Sequence, residues 1–230
     1  MIMKKLFTIF IFSLLSFSLK AQWVELDTGM ENPPVFNDVY AITPDIVVVV
    51  GADGTILKTT DGGETWVQKD SGTTNGLNKI QFPTPEVGYI VGDSGLLKTT
   101  DGGETWSAIE TGEITDFSGL SCVDEDLIFI SGYTLLLKSE NGGNSFTIIN
   151  TDIDYYYPQI QFLNTEIGFT WDPSTYNFIL LKTENGGETW DEVNGESPIH
   201  FLDEDVGFYY SSGLFKTIDS GENFNIIEYG

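Results

Sequence analysis

The sequence predicts an all-β fold, a β-propeller of about five four-stranded antiparallel blades. Two observations carry this. One segment is written five times, at Lys58–Trp66, Lys98–Trp106, Lys138–Phe146, Lys182–Trp190 and Lys216–Phe224. Its Asp or Asn falls at Asp61, Asp101, Asn141, Asn185 and Asp219, in steps of 40, 40, 44 and 34 residues. A period near forty means that each repeat is one supersecondary unit stacked on its neighbours. The second observation is that four short apolar runs separated by turn-formers fill each period, which is the sequence form of a propeller blade.

The turn is legible in the residues. Each copy reads hydrophobic-Lys-Thr/Ser, then Asp or Asn, then glycine, then Thr, Ser or Asn before an aromatic residue. An Asp or Asn side chain is expected to accept a hydrogen bond from the backbone two residues on, while the glycines take positive φ. The aromatic residue, Trp66, Trp106, Phe146, Trp190 or Phe224, is expected to plug the hairpin. Asn replaces Asp twice, so the shared property is hydrogen-bond acceptance and not charge. A residue written five times holds the fold rather than a single site. The lysines that open the segment (Lys58, Lys98, Lys138, Lys182, Lys216) recur in register, and their stems are expected to cover apolar neighbours while the ammonium reaches water.

In the second unit the strands are expected at Leu77 to Phe82, Val87 to Val91, Leu96 to Thr100 and Thr105 to Ile109. The first unit carries the apolar run Val47 to Val50 as its second strand, as blades packed on both faces require. The repeats span about 36–70, 77–110, 117–150, 157–193 and 198–228, within a single domain over 23–230. Trp23 to Thr28 resembles the last strand of a repeat and is surplus, an extra N-terminal strand. Met1 to Gln22 has the form of an export signal: Lys4-Lys5, an apolar run from Leu6 to Leu19, then small residues. The expected location is the periplasm, surface or surroundings of a bacterium.

These motifs resemble the Asp-box (BNR) repeat of sialidases, sortilin-type receptors and photosystem II assembly factor-like propellers. The longer unit from Gln81 through Val87-Gly88-Tyr89 and Gly95-Leu96-Leu97 to Trp106 is most similar to the assembly factor-like group. The resemblance covers residues 36–228 and implies a propeller whose Asp-box turns join the third and fourth strands.

Charge narrows the partners. The formal charge is −25, and residues 1–22 hold three lysines and no acid, so the remainder carries −25 minus 3, or −28. Such a surface repels nucleic acid and anionic lipid, and membrane insertion is not expected. The chain has no arginine, and lysine lacks the planar fork with which sialidases grip a carboxylate. Cys122 is alone and takes the place of Phe82, Phe162 and Phe201, as a structural thiol. His200 is also alone and aligns with Gln81 and Gln161. No metal site or cofactor is therefore expected.

The expected role is a non-catalytic binding or scaffold module for a protein or carbohydrate partner. The alternative is a glycoside hydrolase built on a pair of carboxylates. The candidate binding patch comes from the fourth unit, the one that gained residues. Tyr155, Tyr156 and Tyr157 enter it, Trp171, Asp172 and Tyr176 lie at its expanded turn, and Tyr210 ends a strand of the next unit. Tyrosine and tryptophan are the residues that anchor protein partners or stack on sugars.

Overall fold

A computed structural model of the chain describes residues 28–112, 116–133, 135–151, 158–171, 179–193, 199–210 and 213–227. Among these residues twenty strands form five antiparallel sheets, each a meander of four in chain order. Blade 1 holds β1 Phe36–Ala41, β2 Val47–Gly51, β3 Ile56–Thr59 and β4 Val67–Lys69. Blade 2 holds β5 Leu77–Gln81, β6 Gly88–Gly92, β7 Gly95–Thr99 and β8 Ser107–Ile109. Blade 3 holds β9 Phe117–Cys122, β10 Leu127–Gly132, β11 Leu135–Glu140 and β12 Thr147–Ile149. Blade 4 holds β13 Gln159–Phe162, β14 Gly168–Trp171, β15 Leu180–Thr183 and β16 Asp191–Val193. Blade 5 holds β17 Ile199–Phe201, β18 Val206–Tyr210, β19 Leu214–Ile218 and β20 Asn225–Ile226. The expected signal segment and surplus strand, at 1–22 and 23–27, lie outside the described residues.

The Asp-box turns join third and fourth strands in every blade, with a wider hydrogen-bond span than the sequence suggests. Asp61 does not act two residues on. Its Oδ1 accepts from the Thr65 amide at 2.9 Å and from the Thr59 hydroxyl at 2.7 Å, and its Oδ2 accepts from the Thr65 hydroxyl at 2.6 Å. The Thr59 oxygen in turn accepts from the Gly63 amide at 2.9 Å. Where Asn stands, at Asn141, the amide group donates to the Ser145 hydroxyl at 2.9 Å instead. A hydroxyl donates or accepts as required, which is why Asp and Asn interchange. The largest cause holding Asp61 and Asp101 down at about 2 is the hydrogen bond from the hydroxyl of the threonine four residues on, Thr65 or Thr105. The aromatic plugs are half-buried, and the indole N–H of Trp66, Trp106 and Trp190 is buried without a partner.

In blades 2, 4 and 5 a phenylalanine at the end of the first strand lies over a glycine opening the second. A Cβ added at Gly88 would meet the Phe82 ring at 2.5 Å, and Gly168 and Gly207 sit likewise at 2.7 Å from Phe162 and Phe201. Blade 3 reverses the sizes: Cys122 stands at the phenylalanine position and pairs in register with Ile128 at the glycine position. Volume is conserved within the blade, as close packing demands. Cys122 is half-buried, and desolvation, then the charge of Asp124, raises its thiol above the ordinary range.

The core lies between blades. Successive apolar clusters join blades 1 and 2 (Val48, Val50, Ile80, Phe82), 2 and 3 (Tyr89, Val91, Leu120, Ile128), 3 and 4 (Phe129, Phe162), and 4 and 5 (Phe169, Trp171, Phe201, Tyr209). Phe129 stacks on Phe162 and Phe169 on Phe201, with ring centroids 3.4 and 3.6 Å apart. Two of the box lysines reach across these seams instead of ending in water, whereas Lys138 and Lys182 pair with Glu140 and Glu184 of their own blades. Lys58 is buried and reaches Glu104 of blade 2 at 2.6 Å, and Lys98 donates to the Gly142 carbonyl of blade 3 at 2.8 Å. A solvated ammonium would have left the next turn's acceptors to water; the stems are long enough to bridge one blade to the next.

Candidate functional site

The first strands of the blades, β1, β5, β9, β13 and β17, all line one channel of about 420 Å³. Its wall is made by the same devices that join the blades. A register shift in β1 and in β5, between Phe36 and Asp38 and between Leu77 and Lys79, marks a bulge at Asn37 and Asn78. Bulges re-aim a side chain. Asn37 donates to the Leu77 carbonyl at 2.9 Å, and Asn78 to the Phe117 carbonyl at 2.8 Å, each on the next blade.

One position further along recurs as a second set of ties. Tyr40 donates to the Phe82 carbonyl at 2.8 Å. Gln81 donates to the Leu120 carbonyl at 3.0 Å and accepts from the Cys122 amide at 2.8 Å. Ser121 accepts from the Phe162 amide at 2.8 Å. Gln161 brackets Phe201, donating to its carbonyl at 2.7 Å and accepting from its amide at 3.0 Å. The fifth member is His200, which is exposed and has no hydrogen-bond partner among the described residues.

Other polar groups that line the channel are also engaged. Asp38 accepts from the Ile80 amide at 3.0 Å, and Gln159 donates to the Ser118 carbonyl at 3.3 Å. Lys79 is different. Of the seven lysines beyond residue 22 (ten less three), four lie against Glu104, Glu140 or Glu184, Lys98 holds a carbonyl, and Lys216 lies over the Phe208 ring. Lys79 lines the channel half-buried and has no such partner among the described residues. Two groups with unspent donors, Lys79 and His200, therefore share one cavity.

The aromatic patch expected from sequence is placed only in part. Tyr155, Tyr156, Tyr157, Asp172 and Tyr176 lie outside the described residues. Trp171 does not stand on an open face: it is 8% exposed, packs between blades 4 and 5, and contributes to the channel lining. Tyr210, at the equivalent register position of the next blade, is 63% exposed. Sequence reasoning passed over Lys79, which belongs to no motif; the alignment of His200 with Gln81 and Gln161 was the visible trace of the ring of ties.

Five meandering blades with Asp-box turns make this chain a β-propeller of BNR-type repeats. A family profile described as photosynthesis system II assembly factor YCF48 matches residues 15–115. No curated protein matches the sequence. Among solved structures, one described as YCF48 bound to D1 peptide is similar at 14% identity and a TM-score of 0.51, over 88% of this chain and 82% of that one. An ancestral GH74 enzyme is similar at 15% identity and a TM-score of 0.67, over 84% of this chain and 31% of its own. PorZ, an essential surface component of the type-IX secretion system of Porphyromonas gingivalis, is similar at 10% identity and a TM-score of 0.58, over 83% of this chain and 26% of its own. The chain thus spans less than a third of the enzyme and of PorZ, and at these identities the likeness is one of fold.

Proposed function

We propose that this chain is an exported, non-catalytic propeller that holds an extended segment of a protein partner at this channel. The observation that carries this reading is the use of polar groups along the channel wall. Most are tied to backbone of the adjoining blade, and a single described carboxylate, Asp38, lines the cavity. Hydrolysis of a glycoside uses two carboxylates about 5–10 Å apart, one of them an acid with a raised pKa. Among the described residues every carboxyl that departs clearly from its ordinary value goes down: Asp61, Asp101, Glu104, Glu184 and Asp219. A peptide bound to the similar YCF48 structure supports a protein segment as the class of ligand. The basic start and apolar run of Met1 to Gln22 support export.

Panning the purified protein against displayed peptides, with a glycan array run beside it, tests the reading. Peptides are expected to enrich, and Val39→Trp, at an exposed position on the channel wall, is expected to weaken them without changing Tm. Enrichment of glycans alone would replace the protein partner by a carbohydrate one, and turnover of a xyloglucan or sialoside would end the non-catalytic reading. Cell fractionation with sequencing of the mature N-terminus tests export.

A further inference from the structure

Resting on that reading, we infer that the channel captures its ligand by a carboxylate, with the Lys79 ammonium as charge partner and the His200 imidazole as a second donor. The argument starts from scarcity. The chain has 35 acids and ten Lys and no Arg, so an unpaired lysine is surrounded by potential partners. The other six lysines beyond residue 22 have found a carboxylate, a carbonyl or a ring. Lys79 is held back from all of these by its place on β5, at the residue where the bulge ends and the side chain enters the channel. Its three N–H donors are left for what enters.

His200 adds the second half. In the blades before it, the same position spends its polar atoms on the following blade, through Tyr40, Gln81, Ser121 and Gln161. In blade 5 that capacity is unspent and stays open to the cavity. A ligand carboxylate offers about four acceptor sites and no donor, the complement of an ammonium and an imidazole N–H.

The strong net negative charge does not oppose this. The Debye length is about 8 Å at physiological salt, so groups inside the channel decide the contact and distant surface acids are screened. Asp38 is the one lining carboxylate and works against a bound anion. Its Oδ2 is engaged by the Ile80 amide at the seam between blades 1 and 2. The sign of its effect is a separate test.

One histidine in the chain means one set of imidazole resonances, so the site reports on itself. The full chain, labelled with ¹⁵N, is titrated with three probes: acetyl-Gly-Gly with a free carboxylate, its C-terminal amide, and acetyl-Gly-Glu amide. The first and third separate a chain end from an acidic side chain as the carboxylate source. A saturable shift of the His200 resonances is expected with at least one carboxylate probe and not with the uncharged amide. Lys79→Gln should weaken that response at least tenfold, Lys69→Gln should leave it unchanged, and Asp38→Asn should tighten it severalfold. Equal shifts from acid and amide would overturn the carboxylate assignment and leave the peptide-binding reading standing. No shift from any probe would overturn both. An unaltered response in Lys79→Gln, or weaker binding in Asp38→Asn, would place the carboxylate elsewhere and overturn the assignment.

Discussion

Blades 4 and 5 present matching positions of the same repeat to very different surroundings. On blade 4 the face toward its successor carries Phe169, Trp171 and Leu180, all buried against blade 5. The matching positions on blade 5 are Phe208, Tyr210 and Leu214. Phe208 and Leu214 are half-buried and Tyr210 is open. At the other end, Val39 of blade 1 is 60% exposed, whereas the equivalent Ile80 of blade 2 is 1% exposed. No apolar cluster of described residues joins blade 5 to blade 1. The lesson is that a blade owns little core of its own: burial arises at seams, so the same side chain is structural in the array and available at its ends.

Substitution at one register position measures that difference most directly. Trp171→Ala is expected to cost about 3–5 kcal/mol, as loss of a buried aromatic ring does. Tyr210→Ala, at the equivalent exposed position, should stay within about 0.5 kcal/mol. Urea denaturation of the two variants checks this, and equal losses would mean that blade 5 is sealed in solution.

The size reversal in blade 3 gives an intermediate effect. Cys122→Phe adds a ring against Ile128 and should cost about 1–3 kcal/mol by overpacking. Pairing it with Ile128→Gly rebuilds the arrangement of blades 2, 4 and 5 and should recover most of the loss. A double-mutant cycle reads the coupling, and additive losses would show that the two sites do not share their space.

A smaller effect is expected at the aromatic plugs, where the array already tolerates exchange. Trp106→Phe should cost under about 1 kcal/mol, because the indole N–H it removes is buried without a partner and such groups are a burden. Phe146 and Phe224 fill the same place in blades 3 and 5. A calorimetric scan that placed Trp106→Phe as low as Trp106→Ala would show that the indole nitrogen has a partner in solution.

The smallest effect is confined to acid. The carboxyls of Asp61 and Asp101 are held near 2, and that of Asp219 is also lowered, by bonds they accept in the fold. A group whose folded pKa is depressed stabilises the fold above its unfolded pKa and loses that contribution as pH falls through the folded value. For these boxes the window runs from about pH 4 down to about 2. Replacing all three with Asn should leave the urea midpoint at pH 7 unchanged and flatten its fall across that window. An unchanged acid profile would show that other carboxylates set it.

What the sequence made legible followed from residues that act on their near neighbours. The turn from Lys98 to Trp106, the strands either side of it and the exchange of Asp101 for Asn141 are all local. The partners of Lys58 and Gln81 are about forty residues away, and which side chain crosses a seam depends on bulges at Asn37 and Asn78 that leave no mark in composition. The tyrosines of the fourth unit stand out by number and type, whereas Lys79 stands out only once its neighbours have been found to be occupied. That is why the aromatic patch and not the channel was the visible candidate.

The Phe82–Gly88 pairing and its Cys122–Ile128 counterpart have a consequence for how such a chain can change its length. Both members of each pair belong to one blade, about six residues apart, so a duplication or exchange of whole repeats carries lock and key together. A crossover cut between the first and second strands would separate them and juxtapose two large or two small residues. Recombination is therefore tolerated in units of a full period, with its breakpoints in the turns that enter a first strand.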